Sequence, residues 1–203
     1  MQPACGGARH NSTLGVTTHV PSVAPTLVAV ETTAHRAAAE ELDAEYLNWV
    51  GNMAKAEYGL TFDIQAMVRS DIDDPTKFYP PTGRFYLVQV AELYVGIGCL
   101  KRLASHIGEV QRMYVRPHIR GAGAGRLLVQ RLLADAKALG YTTVRLESLR
   151  ALTPAHELYR SVGFIEIEPY AANSMEAYQE RAALTAYRES AVFMEIKLDG
   201  ELR

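Results

Sequence analysis

Residues 109–126, which read EVQRMYVRPHIRGAGAGR, decide the fold. Residues 109–115 contain branched and aromatic side chains without Gly or Pro, which favours a strand, and Pro117 would end that strand. Gly121, Gly123 and Gly125 then stand at alternate positions, where the backbone can turn tightly and come close to a ligand. Residues 127–139 carry apolar side chains at helical spacing, and Gly140 follows as a helix-ending residue. The stretch predicts a strand, a glycine loop and a helix in that order.

The glycine loop and the helix start predict a site for an anion. The first N–H groups of a helix lack intrahelical acceptors and the helix dipole adds positive charge there, so phosphate is the natural ligand. A nucleoside-triphosphate loop is excluded, because it requires Gly-Lys-Ser/Thr and Gly125 is followed by Arg126. Arginine at this position and the distance between strand and glycines also disfavour a dinucleotide site. Glu147, at the end of the next predicted strand, leaves that alternative open.

Two motifs identify a resemblance to a known superfamily. The pattern Arg120-x-x-Gly123-x-Gly125 resembles the pyrophosphate-binding motif of the GNAT superfamily of acyl-CoA-dependent N-acyltransferases. About thirty residues later, the segment AHELYRSVGF at 155–164 resembles its second signature, a helix that carries a tyrosine and ends in Gly-Phe. The resemblance covers residues 85–170. It implies an α+β fold in which one mixed β-sheet is flanked by helices, with acetyl-CoA as co-substrate.

The resemblance also implies how the coenzyme is held. Met113 and Val115 would pair through their backbones with the pantetheine arm, and the Val115 N–H would face the carbonyl oxygen. Arg120 or Arg126 would add charge-assisted bonds to the pyrophosphate. The predicted pyrophosphate-binding backbone is that of Gly121, Ala122, Gly123, Ala124, Gly125 and Arg126.

Glu109 and Tyr159 are the predicted catalytic residues. Glu109 corresponds to a position that supplies a general base in several members of the superfamily, and six positions separate it from Val115, which predicts that both side chains share one face. A solvated carboxylate at the strand start is the alternative. Tyr159 matches the tyrosine that protonates the leaving sulfur, although it could instead pack on the cofactor helix. His156 and His118 are read as surface or core residues, and Ser148 has no recognisable triad.

Composition limits the other functions. The 203 residues carry a net charge of -2 and are 48% hydrophobic, so a single globular domain is expected and neither nucleic acid nor a membrane is an expected partner. The sequence has two cysteines, which lack the spacing of a metal site. They predict a protein of the reducing cytoplasm that binds no metal. A local basic cluster could steer an anionic coenzyme or could be a solvated face; it consists of Arg112, Arg116, Arg120, Arg126 and Arg131.

The whole chain is predicted to contain eleven elements in the order β α α β β β α β α β β. Residues 1–25 are interpreted as a flexible leader, and residues 26–203 as the catalytic domain. Thr33 is the expected cap of the first helix. The other predicted strands cover 26–31, 84–90, 93–100, 142–147, 164–168 and 191–198, and the other helices 34–58, 63–71 and 153–161. The connection 173–190 is longer than the superfamily pattern, and its residues 175–188 favour a further helix.

These observations predict a cytoplasmic N-acetyltransferase that moves an acetyl group from acetyl-CoA to the primary amine of a small molecule by direct attack. Acetylation of a protein N-terminus or lysine and a non-catalytic acyl-CoA-binding module remain alternatives, and a homodimer remains open. Candidate residues for the acceptor wall are aromatic, with a core position as the alternative for each: Trp49, Tyr58, Phe62, Tyr79, Tyr170, Tyr178 and Tyr187.

Overall fold

The computed structural model of the chain describes residues 23–170 and 184–198. The predicted leader falls almost entirely outside these ranges, as do Tyr178 and most of the helix predicted at 175–188. The described elements are the strands β1 Thr26–Ala29, β2 Arg84–Val90, β3 Leu93–Ala104, β4 Ile107–Val115, β5 Thr143–Leu149, β6 Ile165–Ile167 and β7 Ala191–Lys197, and the helices α1 Thr33–Tyr58, α2 Ile64–Asp73, α3 Ala124–Ala138, α4 Thr153–Ser161 and α5 Leu184–Ser190, with a short 3₁₀ turn at Pro117–Ile119.

The predicted α+β architecture with one mixed sheet is confirmed. Within the described ranges the strands form a seven-stranded sheet in the order β1-β2-β3-β4-β5-β7-β6. Every neighbouring pair is antiparallel except β4 and β5, which are parallel. Buried residues of α3 and α4 pack on one face of the sheet, whereas those of α1, α2 and α5 pack on the other. None of the helices in this part of the chain is both long enough and apolar enough to cross a bilayer.

The sheet opens in the middle, between β4 and β5. The two strands pair only from Ile107–Glu109 to Thr143–Arg145, and beyond these residues no pairing joins them. On its other edge β4 continues to pair with β3 as far as Val115. The second half of β4 therefore has one paired edge and one open edge, and a gap separates it from the carboxyl end of β5.

A β-bulge in β4 reverses the faces of this strand. Arg112 and Met113 lie opposite the single residue Gly98, between the pairs Ile97–Tyr114 and Cys99–Gln111, and Arg112 has a positive φ of 54°. Because one extra residue shifts the alternation of side chains, the two halves of the strand exchange faces. Glu109 shares the α1–α2 face with Tyr114, whereas Val115 is on the α3 face. The prediction that Glu109 and Val115 share a face is therefore wrong.

Two helix starts also differ from expectation. Thr32, not Thr33, caps α1, and its hydroxyl accepts from the His35 N–H at 3.1 Å. The helix α3 begins at Ala124, three residues before its predicted start, and its N-cap is Gly123 in the left-handed conformation. Gly123 therefore provides a conformation that other residues adopt only with strain.

Candidate active site

A cleft of about 540 Å³ runs from the glycine loop to the gap between β4 and β5. Its volume lies in the range of small-molecule sites. At one end it is lined by the loop and the first turn of α3, and at the other by residues of β4, β5, α1 and α4. Of the predicted site residues, the cleft brings together Met113, Val115, Arg120, Gly121, Gly123, Ala124, Gly125, Arg126 and Tyr159, whereas Glu109 and Ala122 do not line it.

The loop end of the cleft is suited to an anion. The first helical acceptor bond of α3 joins the Leu127 N–H to the Gly123 carbonyl at 3.0 Å, so the N–H groups of the preceding turn have no intrahelical acceptor. Gly121 and Gly123 have φ values of 88° and 82°, and a Cβ at either position would meet nothing within 4 Å. Their role is conformational, since they shape an open concave backbone that the helix dipole makes electropositive.

Gly125 has a different role from the other two glycines. It lies in the first turn of α3, where a Cβ would come within 3.1 Å of Leu158 Cδ2 on α4. This separation is tighter than ordinary packing, so the absence of a side chain lets α3 and α4 approach each other. The prediction that all three glycines serve backbone turning and ligand approach is therefore too simple.

Three arginines of the predicted basic cluster line the cleft: Arg112, Arg120 and Arg126. The last two lie near the glycine loop. The Arg120 Nε donates to the Val115 carbonyl at 3.0 Å, and its guanidinium lies 5.0 Å from the centre of the Trp49 ring. Arg126 Nη2 donates to Ser161 Oγ at 2.8 Å. Both cations lack a carboxylate partner within residues 23–170 and 184–198, so they can bind an anion. The other arginines of the cluster lie beside carboxyl groups: Arg112 pairs with Asp71 and lies 3.4 Å from Asp43, Arg116 pairs with Glu41 and Glu45, and Arg131 pairs with Asp135.

The open edge of β4 presents backbone donors and acceptors to the cleft. The Arg116 N–H donates to the Val95 carbonyl on β3 at 2.9 Å. Because successive N–H groups of a strand point to opposite edges, the N–H groups of Val115 and Met113 point toward the gap. An extended ligand could add there as a strand between β4 and β5, in the way peptides pair with exposed sheet edges.

Tyr159 extends from α4 toward this gap. Its side chain is 6% exposed and packs edge-on against Phe164, with 5.9 Å between ring centres. Burial, with a smaller effect of Tyr46, raises the pKa of its phenol, so the hydroxyl keeps its proton throughout the neutral range. It lines the cleft, where it can donate a proton.

Glu109 lies behind the cleft. It is 0% exposed, and its carboxylate accepts from Gln111 Nε2 at 2.7 Å and from the Tyr170 hydroxyl at 2.8 Å. Lys101 Nζ is 3.3 Å from the same carboxylate. The alternative of a solvated carboxylate at the strand start is therefore wrong, and contact between Glu109 and a ligand in the cleft would have to pass through a neighbouring group such as Gln111.

Glu147 on β5 is the carboxylate that lines the cleft. Both of its oxygens are shielded from solvent. Burial and the nearby negative charge of Glu109 raise its pKa to about 8, although Tyr187 and Arg112 oppose this shift. A group of this pKa can exchange a proton near neutral pH. From the sequence alone, Glu147 is a candidate only for a dinucleotide site, because its place beside the gap depends on how β4 and β5 diverge.

Some of the other residues singled out from the sequence line the cleft, and others lie away from it. His156 is buried, His118 is exposed, and neither lines the cleft, whereas Ser148 does. Among the predicted wall residues, Trp49 lines the cleft, and Phe62 and Tyr187 line a smaller adjoining cavity. Tyr58, Tyr79 and Tyr170 line neither. Throughout the described part of the chain, no three His, Cys, Asp or Glu side chains are grouped so that they could hold a metal ion.

Solved structures with a similar fold include acetyltransferases. A crystal structure of an acetyltransferase from Streptococcus agalactiae has a TM-score of 0.65 at 17% identity, covering 86% of this chain and 98% of that chain. The PaiA N-acetyltransferase from Thermoplasma acidophilum, solved in complex with coenzyme A, has a TM-score of 0.60 at 17% identity, covering 86% and 99%. The seven-stranded sheet and its helices therefore define a protein of the GNAT fold.

The sequence comparisons identify the family. A profile of the acetyltransferase (GNAT) family matches residues 47–164. An uncharacterised N-acetyltransferase of Schizosaccharomyces pombe is 35% identical over 123 residues, which are 58% of this chain and 73% of that protein. The chain belongs to the GNAT family and is an acyltransferase, as the motifs at 120–125 and 155–164 predict.

Proposed function

We propose that this protein is an N-acetyltransferase that moves an acetyl group from acetyl-CoA to the primary amine of a small molecule by direct attack. The amine nitrogen forms a C–N bond with the thioester carbon, the C–S bond breaks, and the amine loses a proton as the thiolate gains one. Residues 26–203 would form one catalytic domain behind a leader at 1–25, acting in the cytoplasm.

The coenzyme would lie along the cleft with its pyrophosphate at the start of α3. This placement is supported by the positive φ of Gly121 and Gly123 and by Arg120 and Arg126, two cleft arginines without a carboxylate partner among the described residues. Its pantetheine arm would pair with the open edge of β4 at Met113 and Val115. The Val115 N–H would then lie close to the thioester oxygen, where it would stabilise the developing negative charge. The Thermoplasma protein of similar fold was solved in complex with coenzyme A, which supports the choice of this ligand.

Proton removal would fall to Glu147. It lines the cleft with a pKa of about 8, whereas Glu109 lies behind it and is held by other side chains. The sequence prediction that Glu109 is the base stays a prediction. In the arrangement proposed here, Glu109 is a positioning residue whose charge raises the pKa of Glu147, and Tyr159 gives its proton to the departing sulfur.

The observation that carries this proposal is one continuous cleft that joins a glycine-lined helix start to a protonated phenol and a carboxyl with a raised pKa. Two measurements test it. Acetyl-CoA should raise the melting temperature of the protein far more than NADH does, because a dinucleotide site is the rejected alternative. Thiol release from acetyl-CoA should then depend on an added small amine, in a panel that includes peptides. Equal shifts with the two ligands, or release only with peptides, would contradict the proposal.

A further inference from the structure

The acceptor side of the cleft adjoins a second cavity of about 60 Å³. This small cavity lies on the α1–α2 face of the sheet and is lined by residues of α1, α2, β4, β5 and α5. It meets the cleft at a junction formed by the residues that line both spaces: Tyr46, Gln111, Arg112, Glu147 and Ser148. A molecule that attacks the thioester from this side of the gap would contact the junction first.

Arg112 has a side-chain donor at this junction that makes no hydrogen bond to the described residues. Its side chain is 6% exposed, and the β-bulge directs it to the α1–α2 side of the sheet, where its Nε pairs with Asp71. Its Nη2 has no hydrogen-bond partner in the described ranges. A buried unsatisfied donor is costly in a folded protein and calls for an explanation, which a ligand can provide.

The charges around Arg112 favour an anionic partner for this free nitrogen. Arg112 and Lys77 together lower the pKa of Asp71 against the effect of burial, so Asp71 is ionised. Burial raises the pKa of Asp43 well above its usual value, despite Arg112, so the negative charge of Asp43 is disfavoured. Arg112 and Lys77 therefore face one aspartate whose charge is favoured and one whose charge is disfavoured. These surroundings suit a carboxylate oxygen at Arg112 Nη2, the nitrogen without a partner.

Glu147 provides a carboxyl group at the same junction. Its two oxygens are shielded from solvent, and the residue lines both spaces. An ammonium group is the natural partner of a carboxylate in such a position. The junction therefore offers one donor for a carboxylate and one acceptor for an amine, which are the two charged groups of an amino acid.

The small cavity selects for an apolar group of limited size. Its walls include the aliphatic and aromatic side chains of Leu47, Val50, Phe62, Ile64 and Met67. Its volume of about 60 Å³ corresponds to four to six sites of about 10–15 Å³ each, the space that a water-sized atom group needs. A side chain with about four non-hydrogen atoms, such as that of leucine, fits this space, whereas an indole does not.

We propose that the acceptor is an α-amino acid with an apolar side chain of valine to leucine size. Its carboxylate would accept from Arg112 Nη2, its amine would face Glu147, and its side chain would occupy the small cavity. This inference rests on the proposed function and adds to it the chemical class of the acceptor.

The test compares acceptors that differ only in the carboxylate. Thiol release from acetyl-CoA is measured on the full chain with leucine and with 3-methylbutylamine, which has the same side chain and amine. Because the amine of 3-methylbutylamine is the more basic, leucine amide, whose amine is less basic, serves as a second comparison. A charge-assisted bond to Arg112 predicts that kcat/KM is about 10- to 100-fold higher for leucine than for either compound. Tryptophan should be a poor acceptor.

The variant Arg112→Lys tests whether Arg112 causes the preference for an acceptor that has a carboxylate. Arg112→Lys keeps a cation beside Asp71 but removes the second guanidinium nitrogen, so the ratio of kcat/KM for leucine to that for 3-methylbutylamine should fall about tenfold or more. The wild-type comparison does not depend on how well this variant folds. Equal or better use of 3-methylbutylamine or leucine amide by the wild type would overturn the inference and leave N-acetyl transfer intact. Thiol release with no amine at all would overturn both proposals.

Discussion

At the scale of single residues, two carboxylates on adjacent strands have opposite surroundings. Glu109 is hydrogen-bonded by Gln111 and Tyr170 and paired with Lys101, so its negative charge is compensated in place. Glu147 has shielded oxygens and the charge of Glu109 nearby, and its pKa is raised to about 8. A proton acceptor must be able to change its charge during the reaction. The surroundings therefore favour Glu147 for proton exchange, with Glu109 beside it as a hydrogen-bonded, ion-paired carboxylate.

Replacing each carboxylate in turn distinguishes these roles. A base acts when deprotonated, so wild-type kcat/KM should rise as the pH increases through about 8. Glu147→Gln should lower the rate about 10²–10⁴-fold, because it removes the proton acceptor. Glu109→Gln should keep activity but move the midpoint of the profile to lower pH, since the charge that raises the pKa of Glu147 is gone. The measurement is kcat/KM against pH with one amine for all three proteins. A larger loss in Glu109→Gln would restore Glu109 as the base.

The hydroxyl of Tyr159 is tested by removing one atom. Tyr159→Phe keeps the ring that packs on Phe164, so stability and the KM for acetyl-CoA should stay close to those of the wild type. The turnover number should fall about 10²-fold or more if this hydroxyl protonates the sulfur. Steady-state kinetics with varied acetyl-CoA separate the two effects. A rise in KM with unchanged turnover would indicate a packing role.

At the scale of elements, the ends of α3 offer a matched pair of glycines. Gly123 at the start and Gly140 at the end both have a φ of 82°, and a Cβ at either would meet nothing within 4 Å. Both positions thus require glycine for the same conformational reason. Of the two, only Gly123 lines the cleft. A substitution at Gly140 therefore reports backbone strain alone, whereas the same substitution at Gly123 reports strain together with any effect on coenzyme binding.

Alanine at either end of α3 should therefore lower stability, but only alanine at the start of the helix should weaken the binding of acetyl-CoA. Gly123→Ala and Gly140→Ala should each lower the free energy of unfolding by about 1–2 kcal/mol, because alanine is strained at positive φ. Gly123→Ala alone should raise the KM for acetyl-CoA, since its N–H belongs to the anion-binding turn. Urea unfolding and kinetics are measured on both variants. An equal rise in KM for the two would place the pyrophosphate elsewhere.

At the scale of the whole molecule, the site reduces stability. Packing of α1 and α5 beside β5 places the carboxyl of Glu147 in surroundings that disfavour its charge, which is the kind of conflict that active sites contain. The groups that act on it come from three other elements, β3, β4 and α5: Lys101, Glu109, Arg112 and Tyr187. Since its folded pKa of about 8 exceeds the usual 4.5 of the unfolded chain, the folded state binds more protons between these values. Stability contributed by protonated Glu147 is therefore lost as the pH rises.

Glu147→Gln should remove this dependence, because glutamine has a similar shape and does not titrate. Near pH 5 the variant and the wild type should have similar free energies of unfolding. The variant should become the more stable one as the pH rises toward about 8, by less than about 5 kcal/mol. Urea unfolding at several pH values measures the difference. A constant difference across this range would mean that Glu147 titrates normally.

The sequence alone determined what depends on neighbours along the chain. The strand ended by Pro117, the positive-φ glycines, the helix after them and the order of elements follow from local steric and hydrophobic preferences, and the two motifs sufficed to predict the family. Tertiary structure decided what depends on distant pairing. The bulge at Arg112 exists only in register with β3, and it moves Glu109 away from Val115; Gly125 matters because α4 approaches it. Glu147 acquires its raised pKa because segments far apart in sequence exclude water around it, and no local pattern encodes that exclusion.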